Sequence, residues 1–240
     1  MTATIELKSI SKSFGKKLVL NDIDLAIQSG QIYGLIGPSG SGKTTLVKLI
    51  VGMDQPTTGE VQVLGMAIPN LKVLQKIGYM AQADALYADL TGAENLSFFA
   101  SLFKLKKDVK KKRIAYAADL VDLSSHLHKK VQNYSGGMKR RLSLAVALIQ
   151  DPEVLVLDEP TVGIDPELRQ SIWAEIDRLK RTGKTILVTT HVMDEAEKCD
   201  QLAMIRDGQI LTRGSPQQLK QQFGISSLED VFLQAGGKMA

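Results

Sequence analysis

The chain has 240 residues, of which 44% are hydrophobic and 23% are charged, and its formal net charge is +4. This length can bury a core large enough for one sizeable domain, and the composition is that of an ordinary globular protein. So small a net charge does not by itself indicate a nucleic-acid-binding protein. The single cysteine, Cys199, excludes an internal disulfide and is typical of a reducing compartment.

The apolar segments are too short to cross a membrane. Runs such as residues 145–149 and 154–157 fall far short of the ~18 residues that a spanning helix needs. Residues 1–6 lack the basic-then-apolar pattern of a signal peptide. We therefore expect a cytosolic chain that spans no membrane.

Residues 3–36 alternate and turn in the manner of β structure. Residues 5–10 form a first strand, and a turn at Phe14 and Gly15 leads to a second strand at 18–27. Phe14 has two interpretations, an aromatic that packs against the hairpin or a platform for a stacked adenine. The spacing alone favours packing.

A glycine-rich loop then separates a predicted strand at 31–36 from a predicted helix that continues to Gly52. The loop has the pattern G-x-x-x-x-G-K-T and consists of Gly37, Pro38, Ser39, Gly40, Ser41, Gly42, Lys43, Thr44 and Thr45. Glycines let backbone N–H groups converge on phosphates, and the helix N-terminus adds about half a positive charge. Lys43 supplies a full charge for the β- and γ-phosphates, and the Thr44 hydroxyl suits Mg²⁺. A Gly/Ser-rich surface turn would explain neither the Lys-Thr pair nor the preceding strand, so we predict a phosphate-binding loop.

Residues 84–150 are predicted to form a mostly helical block within an α/β frame. Short strands precede it, the second of which ends at Gln82, and Thr91 with Glu94 forms a capping box at a helix start. The basic run at 104–113 has no interleaved aromatic residues, which argues against binding of single-stranded nucleic acid. A solvated helix face is the default for this run, and a contact with lipid headgroups or a partner is the alternative.

A second glycine pair lies before the helix predicted at 138–150. Ser135 is a natural N-cap, and Gly136 and Gly137 leave the N–H groups of the first turn open. The segment is therefore either a simple capped helix or a second anion site at a helix N-terminus.

Three predicted strands end in residue types suited to phosphate chemistry. The first leads to Gly37, the continuous apolar run at 154–157 leads to Asp158 and Glu159, and residues 185–190 lead to His191. In an open parallel sheet, ligands bind beyond the carboxyl ends of the strands. The sequence therefore predicts an active site at these strand ends.

The remaining residues complete the α/β frame. Asp165 followed by Pro166 predicts the start of a helix and needs no functional explanation. The Asp207-Gly208 pair predicts a hairpin turn. A helix at 215–223 and a short amphipathic tail follow, and the last residues, 236–240, are expected to fray.

Taken together, these motifs closely resemble the ATP-binding cassette (ABC) ATPases over nearly the whole chain. The resemblance rests on Gly37–Thr45, Gln82, Tyr134-Ser135-Gly136-Gly137, Leu157-Asp158-Glu159-Pro160, Gly163-Ile164-Asp165 and His191, which follow one another in the family's order. It implies a P-loop fold with a RecA-like core, an N-terminal antiparallel β subdomain and an inserted α-helical subdomain. The implied single domain divides into a core at about 1–83 and 151–220, a helical subdomain at about 84–150 and a tail at about 221–240.

The resemblance also implies roles for individual residues with ATP and Mg²⁺ as cofactors. Phe14 takes the position of the adenine-stacking aromatic, which reverses the preference for packing. Asp158 would hold Mg²⁺, largely through water, together with Thr44. Gln82 would lie at the metal and the attacking water and would couple the site to the helical block. Glu159 would polarise that water and His191 would contact the γ-phosphate.

The family has a signature segment, which is Tyr134-Ser135-Gly136-Gly137-Met138 in this chain. In this family the serine of the signature faces a nucleotide bound by the other protomer. The resemblance therefore implies a head-to-tail dimer in which Ser135, Gly136 and Gly137 complete the site of the partner copy. It also makes Asp165 a nucleotide-binding residue. Met138 departs from the glutamine that is common at this position of the signature, and it cannot supply an amide. The run at 134–141 and the tail at 228–233 look like those of cassettes from multidrug, antibiotic or polysaccharide exporters.

The leading interpretation is an ATPase that powers a separately encoded transmembrane permease from the inner face of the cell membrane, with no nucleic acid as partner. A soluble cassette ATPase of translation or DNA repair is an alternative, but the chain has neither two cassettes nor a long coiled-coil insertion. A module that binds nucleotide without hydrolysis is another, against which Glu159 and His191 argue. A small GTPase is disfavoured because no Asn-Lys-x-Asp motif is present.

Overall fold

The computed structural model describes residues 3–82 and 85–237. Its strands are β1 (Ala3–Phe14), β2 (Lys17–Gln28), β3 (Ile32–Ile36), β4 (Thr58–Val63), β5 (Met66–Ala67), β6 (Ile77–Met80), β7 (Val154–Asp158), β8 (Thr185–Thr190), β9 (Gln201–Arg206) and β10 (Gln209–Gly214). Its α-helices are α1 (Lys43–Ile50), α2 (Leu71–Leu74), α3 (Gly92–Leu102), α4 (Lys107–Leu120), α5 (Gly136–Leu148), α6 (Pro166–Arg181), α7 (Met193–Ala196), α8 (Pro216–Phe223) and α9 (Leu228–Ala235). Two single 3₁₀ turns at Ser124–His126 and Val131–Asn133 lead into α5.

The chain divides into two compact units. One comprises the described residues of Met1–Leu74 and Thr185–Ala240, and the other those of Gln75–Lys184. The subdomain boundaries expected from the sequence remain a prediction, and part of the predicted frayed end, residues 238–240, lies outside the described residues.

An antiparallel sheet with the strand order β2-β1-β4-β5 forms the first layer of the first unit. The predicted hairpin is confirmed, because β1 and β2 pair from Phe14 opposite Lys17 back to Ala3 opposite Gln28. Residues Ile5 and Leu7 are buried while Glu6 between them is partly exposed, which is the alternation expected of a sheet with one covered face.

A second sheet of the same unit carries the phosphate loop. Its order is β10-β9-β3-β8, and β3 runs parallel to both β8 and β9. All residues of β3 and β8 are buried. Complete burial of this kind is typical of parallel strands that are covered on both faces. The predicted hairpin at Asp207-Gly208 joins β9 to β10.

The second unit combines a parallel pair of strands with helices α3 to α6. Strand β6 pairs with β7 from Ile77 opposite Val154 to Met80 opposite Leu157. The capping box that the sequence predicts at Thr91 is confirmed, since the Thr91 hydroxyl accepts the Glu94 N–H while the Glu94 carboxylate accepts the Thr91 N–H. These contacts satisfy donors that a helix start would otherwise leave open.

Candidate functional site

The loop between β3 and α1 folds tightly around its glycines. Gly37 is buried, and a Cβ placed on it would lie 2.1 Å from the carbonyl oxygen of Ile205. Gly40 and Gly42 have φ values of +80° and +108°, which are backbone conformations that glycine adopts at little cost. A Cβ on Gly42 would also approach the Leu20 side chain to 2.7 Å. Close contacts therefore favour glycine at Gly37 and Gly42, and the backbone conformation favours it at Gly40 and Gly42.

Lys43 begins α1 and turns back over the loop. Its side chain is buried, with 5% of the residue exposed, and Nζ donates hydrogen bonds to the carbonyl oxygens of Gly37 at 2.6 Å and Pro38 at 3.0 Å. The ammonium group is thus held against the backbone of the loop. A cation in this position, at the N-terminus of a helix, suits a polyphosphate.

The polar side chains of the loop also suit a bound phosphate. Among the residues that the structure describes, the Ser41 hydroxyl oxygen is buried and has no hydrogen-bond partner. A buried polar atom without a partner is costly, and a phosphate oxygen would satisfy it. Thr44 lies one position beyond Lys43 and is partly exposed at the start of α1. The residues of the loop therefore fit a bound phosphate group.

Because the Gly37 backbone is confined by a main-chain oxygen, we expect Gly37→Ala to destabilise the protein. Ile205 belongs to the core strand β9 and cannot retreat as a flexible side chain would. Overpacking of this kind costs about 1–3 kcal/mol, which urea unfolding followed by circular dichroism would measure.

Gly136→Ala is the matched control, since a Cβ there meets no atom within 4 Å. If Gly37→Ala unfolded at the same urea concentration as this control, the steric argument would be wrong.

His191 follows β8 directly beside the start of the phosphate loop. Ile36 of β3 pairs with Thr190 of β8, so Gly37 and His191 leave the same edge of the sheet from adjacent parallel strands. The sequence predicted this proximity, and the structure confirms it. The Thr190 hydroxyl donates to the carboxylate of the buried Glu195 at 2.7 Å and accepts from the Val192 N–H at 3.0 Å. These bonds fix the turn that presents the exposed His191.

Glu195 and helix α7 were not predicted from the sequence. Only four residues form this helix, which is too short for a periodic pattern to reveal. The glutamate follows the histidine closely and looks like a residue of an exposed acidic turn.

Phe14 at the end of β1 is 52% exposed, and the Lys12 ammonium lies 4.9 Å from its ring centroid. The structure therefore does not support the interpretation of Phe14 as a residue packed against the hairpin. An exposed ring is available for stacking, and that role remains a prediction.

The second unit brings Gln82 and the acidic pair together. Met80 pairs with Leu157, so the residues that follow β6 and β7 leave the same edge of this parallel pair. Asp158 is completely buried at the end of β7, whereas Glu159 is partly exposed. Glu159 has a φ of +53°, an unusual value for a side-chain-bearing residue that often marks functional positions.

A residue that the sequence did not single out, Arg140, joins these two loops. Its guanidinium group donates to the carbonyl oxygens of Ala81 at 2.6 Å and Gln82 at 3.0 Å. It also donates to the carbonyl oxygens of Asp158 and, at 2.6 Å, Glu159. The side chain belongs to α5 and only 7% of the residue is exposed. The loop after β6 and the loop after β7 are thus tied to one cation.

Burial beside this cluster affects a neighbouring tyrosine of β6. Desolvation, aided by the negative charge of Asp158, raises the pKa of Tyr79 to about 12, although the positive charge of Arg140 acts in the opposite direction. Tyr79 therefore stays protonated over the physiological pH range.

The Ser135 segment begins α5 as predicted. The Ser135 hydroxyl accepts the Met138 N–H at 3.2 Å, which makes Ser135 the N-cap. Ser135 and Gly136 are exposed, and Gly137 is partly so. Tyr134 is buried beside the start of α3, and its hydroxyl donates to the His126 carbonyl oxygen at 2.9 Å. The signature segment is therefore anchored by its tyrosine while the serine faces outward.

Asp165 also caps its helix as expected. Its carboxylate accepts the Leu168 N–H at 3.0 Å, and Pro166 is in the first turn of α6. The residue is exposed, so the cap does not prevent a further contact with a partner.

The predicted magnesium ligands are oxygen donors of the kind that Mg²⁺ prefers, namely the Thr44 hydroxyl, the Gln82 amide and the Asp158 carboxylate. Residues 3–82 and 85–237 contain no group of three or more His, Cys, Asp or Glu side chains that could hold a metal ion. The predicted set contains one such residue only, so this absence does not bear on it.

Comparison with known proteins identifies the family. A family model described as "ABC transporter" matches residues 20–162, which is more than half of the chain. The chain belongs to this family. The Nod factor export ATP-binding protein I of Burkholderia lata is 41% identical over 220 residues, which cover 90% of this chain and 72% of the relative. Its counterpart from Rhizobium leguminosarum bv. viciae is 42% identical over 229 residues and covers 94% of this chain and 74% of the relative.

Solved ABC cassettes have the same fold. A structure described as the ATP-binding subunit of an ABC transporter has a TM-score of 0.91 at 26% identity and covers 97% of this chain and 99% of its own. A dimeric cassette in a post-hydrolysis state, bound to ADP and phosphate, has a TM-score of 0.82 at 27% identity and covers 88% of this chain and 98% of its own.

These findings confirm the predicted P-loop fold with its RecA-like core, and they make the chain an ATP-binding ABC ATPase. They do not favour a cassette of translation or DNA repair. Within the described part of the chain, the longest apolar helices are all too short or too polar to cross a bilayer.

Proposed function

We propose that the chain is the ATP-hydrolysing subunit of an export system and acts through a separately encoded transmembrane permease. The observation that carries the export assignment is the similarity to ATP-binding proteins of Nod factor export, which extends over 90% of this chain. The permease would hold the chain at the inner face of the cell membrane. The cargo would be recognised by the permease.

On this proposal, the first unit binds the nucleotide. The exposed ring of Phe14 would stack on adenine. Backbone N–H groups of the loop and the Lys43 ammonium would bind the phosphates, for which the loop's glycine geometry and the buried Ser41 hydroxyl give support. His191 would donate to the γ-phosphate from the adjacent strand end.

The residues of the second unit would activate water. Glu159 would accept a proton from the attacking water or polarise it, which is the role of a general base. Thr44, Gln82 and Asp158 would hold Mg²⁺ with their oxygen atoms, Asp158 largely through water. The cation supplies charge neutralisation at the phosphates when it is bound.

We further propose that two copies bind head to tail. Ser135, Gly136 and Gly137 would then contact the nucleotide of the partner copy, and Asp165 would lie at the same interface. The exposure of Ser135, together with the open helix start behind it, supports this arrangement. A solved cassette with ADP and phosphate is a dimer, as described above. The side chain of Met138 has no amide group, so its contacts at this position of the signature would be apolar.

Co-purification from membranes tests the export proposal. The affinity-tagged chain would be expressed in its own host, extracted in mild detergent and analysed by mass spectrometry. We expect an integral membrane protein with several predicted spans to be recovered with the tagged chain. When both proteins are reconstituted into vesicles, transport by the membrane protein should depend on ATP. Recovery of ribosomes or DNA-repair proteins instead would contradict the proposal.

A further inference from the structure

Helix α5 carries two features that the proposed function does not connect. Its N-terminus presents Ser135, and one turn later Arg140 points into the unit and binds four main-chain carbonyl oxygens. Two of these oxygens belong to the segment at Gln82 and two to the segment at Glu159. One side chain therefore links the signature helix to both loops that hold the proposed water-activating residues.

The guanidinium group of Arg140 is suited to binding two loops at once in a way that other side chains are not. A guanidinium group is a planar fork with several N–H donors in fixed directions, so it can bind two separate loops at once. A lysine ammonium has three donors on a single atom, so it cannot make all four of these hydrogen bonds. A guanidinium group with 7% exposure is costly to remove from water, and these four hydrogen bonds offset part of that cost. A requirement that is only about packing would be met by an apolar side chain at lower cost.

We propose that Arg140 is a positioning residue for ATP hydrolysis. Its guanidinium group fixes the main chain at Glu159, and hence the carboxylate, relative to Gln82. Through α5, the same side chain couples the position of Ser135 to that of the general base. This inference rests on the proposed function, because it takes Glu159 as the base.

The test compares Arg140→Lys with a matched control, Arg113→Lys. The Arg113 guanidinium also binds two main-chain carbonyl oxygens, those of Leu148 and Ile149, but at the opposite end of α5. For each full-length variant we would measure phosphate release with Mg·ATP, the Kd for a fluorescent ATP analogue and the thermal midpoint. A small displacement of a catalytic group can cost as much as ~10²-fold in rate.

We expect Arg140→Lys to lower kcat at least about tenfold while the Kd changes less than about twofold, and Arg113→Lys to keep kcat within about twofold of the parent. In a Glu159→Gln background, Arg140→Lys should cause no further loss, because Arg140 acts through the carboxylate that has been removed. The proposal is overturned if Arg140→Lys keeps near-normal kcat, if it loses no more than the control, if it fails to fold, or if its effect adds fully to that of Glu159→Gln.

The failure of this inference can be told from failure of the proposed function. Near-normal turnover of the Glu159→Gln variant would show that Glu159 is not the general base. The role of Arg140 would then be tested by the Arg140→Lys single variant alone. A normal kcat for Arg140→Lys together with an inactive Glu159→Gln variant would contradict the positioning role alone.

Discussion

Glu159→Gln is expected to bind ATP as the parent protein does, to accumulate as a dimer and to turn over at least ~10²-fold more slowly. A positioned general base contributes typically 10²–10⁴-fold, and the amide cannot accept a proton. The substitution is nearly isosteric, and the Glu159 carbonyl keeps its contacts with the Arg140 guanidinium at 2.6 Å and the Val162 N–H at 3.4 Å. The loss should therefore lie in the chemical step.

Phosphate release, nucleotide affinity and size-exclusion chromatography in Mg·ATP would measure the three effects. Glu153→Gln is the control, since it removes the same charge just before the start of β7, where Glu153 forms an exposed ion pair with Lys76 at 2.9 Å. We expect this control to hydrolyse ATP normally, because exposed ion pairs contribute little.

Substitution of Ser135 by a bulky residue tests whether the proposed dimer forms through Ser135. Ser135→Phe in the Glu159→Gln background should abolish the trapped dimer, because the serine would face the partner's nucleotide. A dimer that persisted with unchanged stability would show that the copies do not meet at Ser135. Turnover of Glu159→Gln close to that of Glu153→Gln would contradict the base assignment.

The sequence predicted most of the elements because local signals specify them. The N-caps at Thr91, Ser135 and Asp165 each depend on a polar side chain within three residues of the N–H it accepts. The continuous apolar run at 154–157 likewise identifies β7 as a buried strand without long-range information. Short elements such as β5 and α7 carry no such pattern.

The contacts of Arg140 could not be predicted in the same way. Its partners lie 58 and 59 positions before it and 18 and 19 positions after it, so only the tertiary fold brings them together. In the sequence, Lys139, Arg140 and Arg141 look like a solvated basic patch. One signal was present: Arg140 shares a helical face with Leu144 and Leu148, four and eight positions later, and both are buried.

The position of Phe14 shows a different limit. Spacing alone favoured a ring packed against the hairpin, although spacing does not determine whether a ring at a hairpin end turns toward the core or toward solvent. The structure answers that question with an exposed ring. It is a nucleotide titration of a Phe14 variant, rather than the fold, that decides on stacking.

Lys43→Ala is expected to lose nucleotide affinity and hydrolysis together, unlike Glu159→Gln. Hydrogen bonds to charged groups contribute about 1.5–3 kcal/mol, so the Kd for Mg·ATP should rise at least about tenfold. The side chain is buried over the loop, where its Nζ donates to Gly37 and Pro38. These two carbonyls can release the ammonium to a phosphate, which offers full negative charge.

Lys43→Met separates charge from packing, because it keeps an unbranched side chain of similar length without the ammonium group. If charge decides, Met and Ala should weaken binding alike, and Lys48→Ala, which removes an exposed lysine from the same helix, should not. Isothermal titration calorimetry with Mg·ATP and with ADP would refine the argument, because Lys43 is expected to contact the terminal phosphates and ATP should lose more than ADP. Unchanged affinity in Lys43→Met would mean that the loop backbone and helix N-terminus bind phosphate without the lysine.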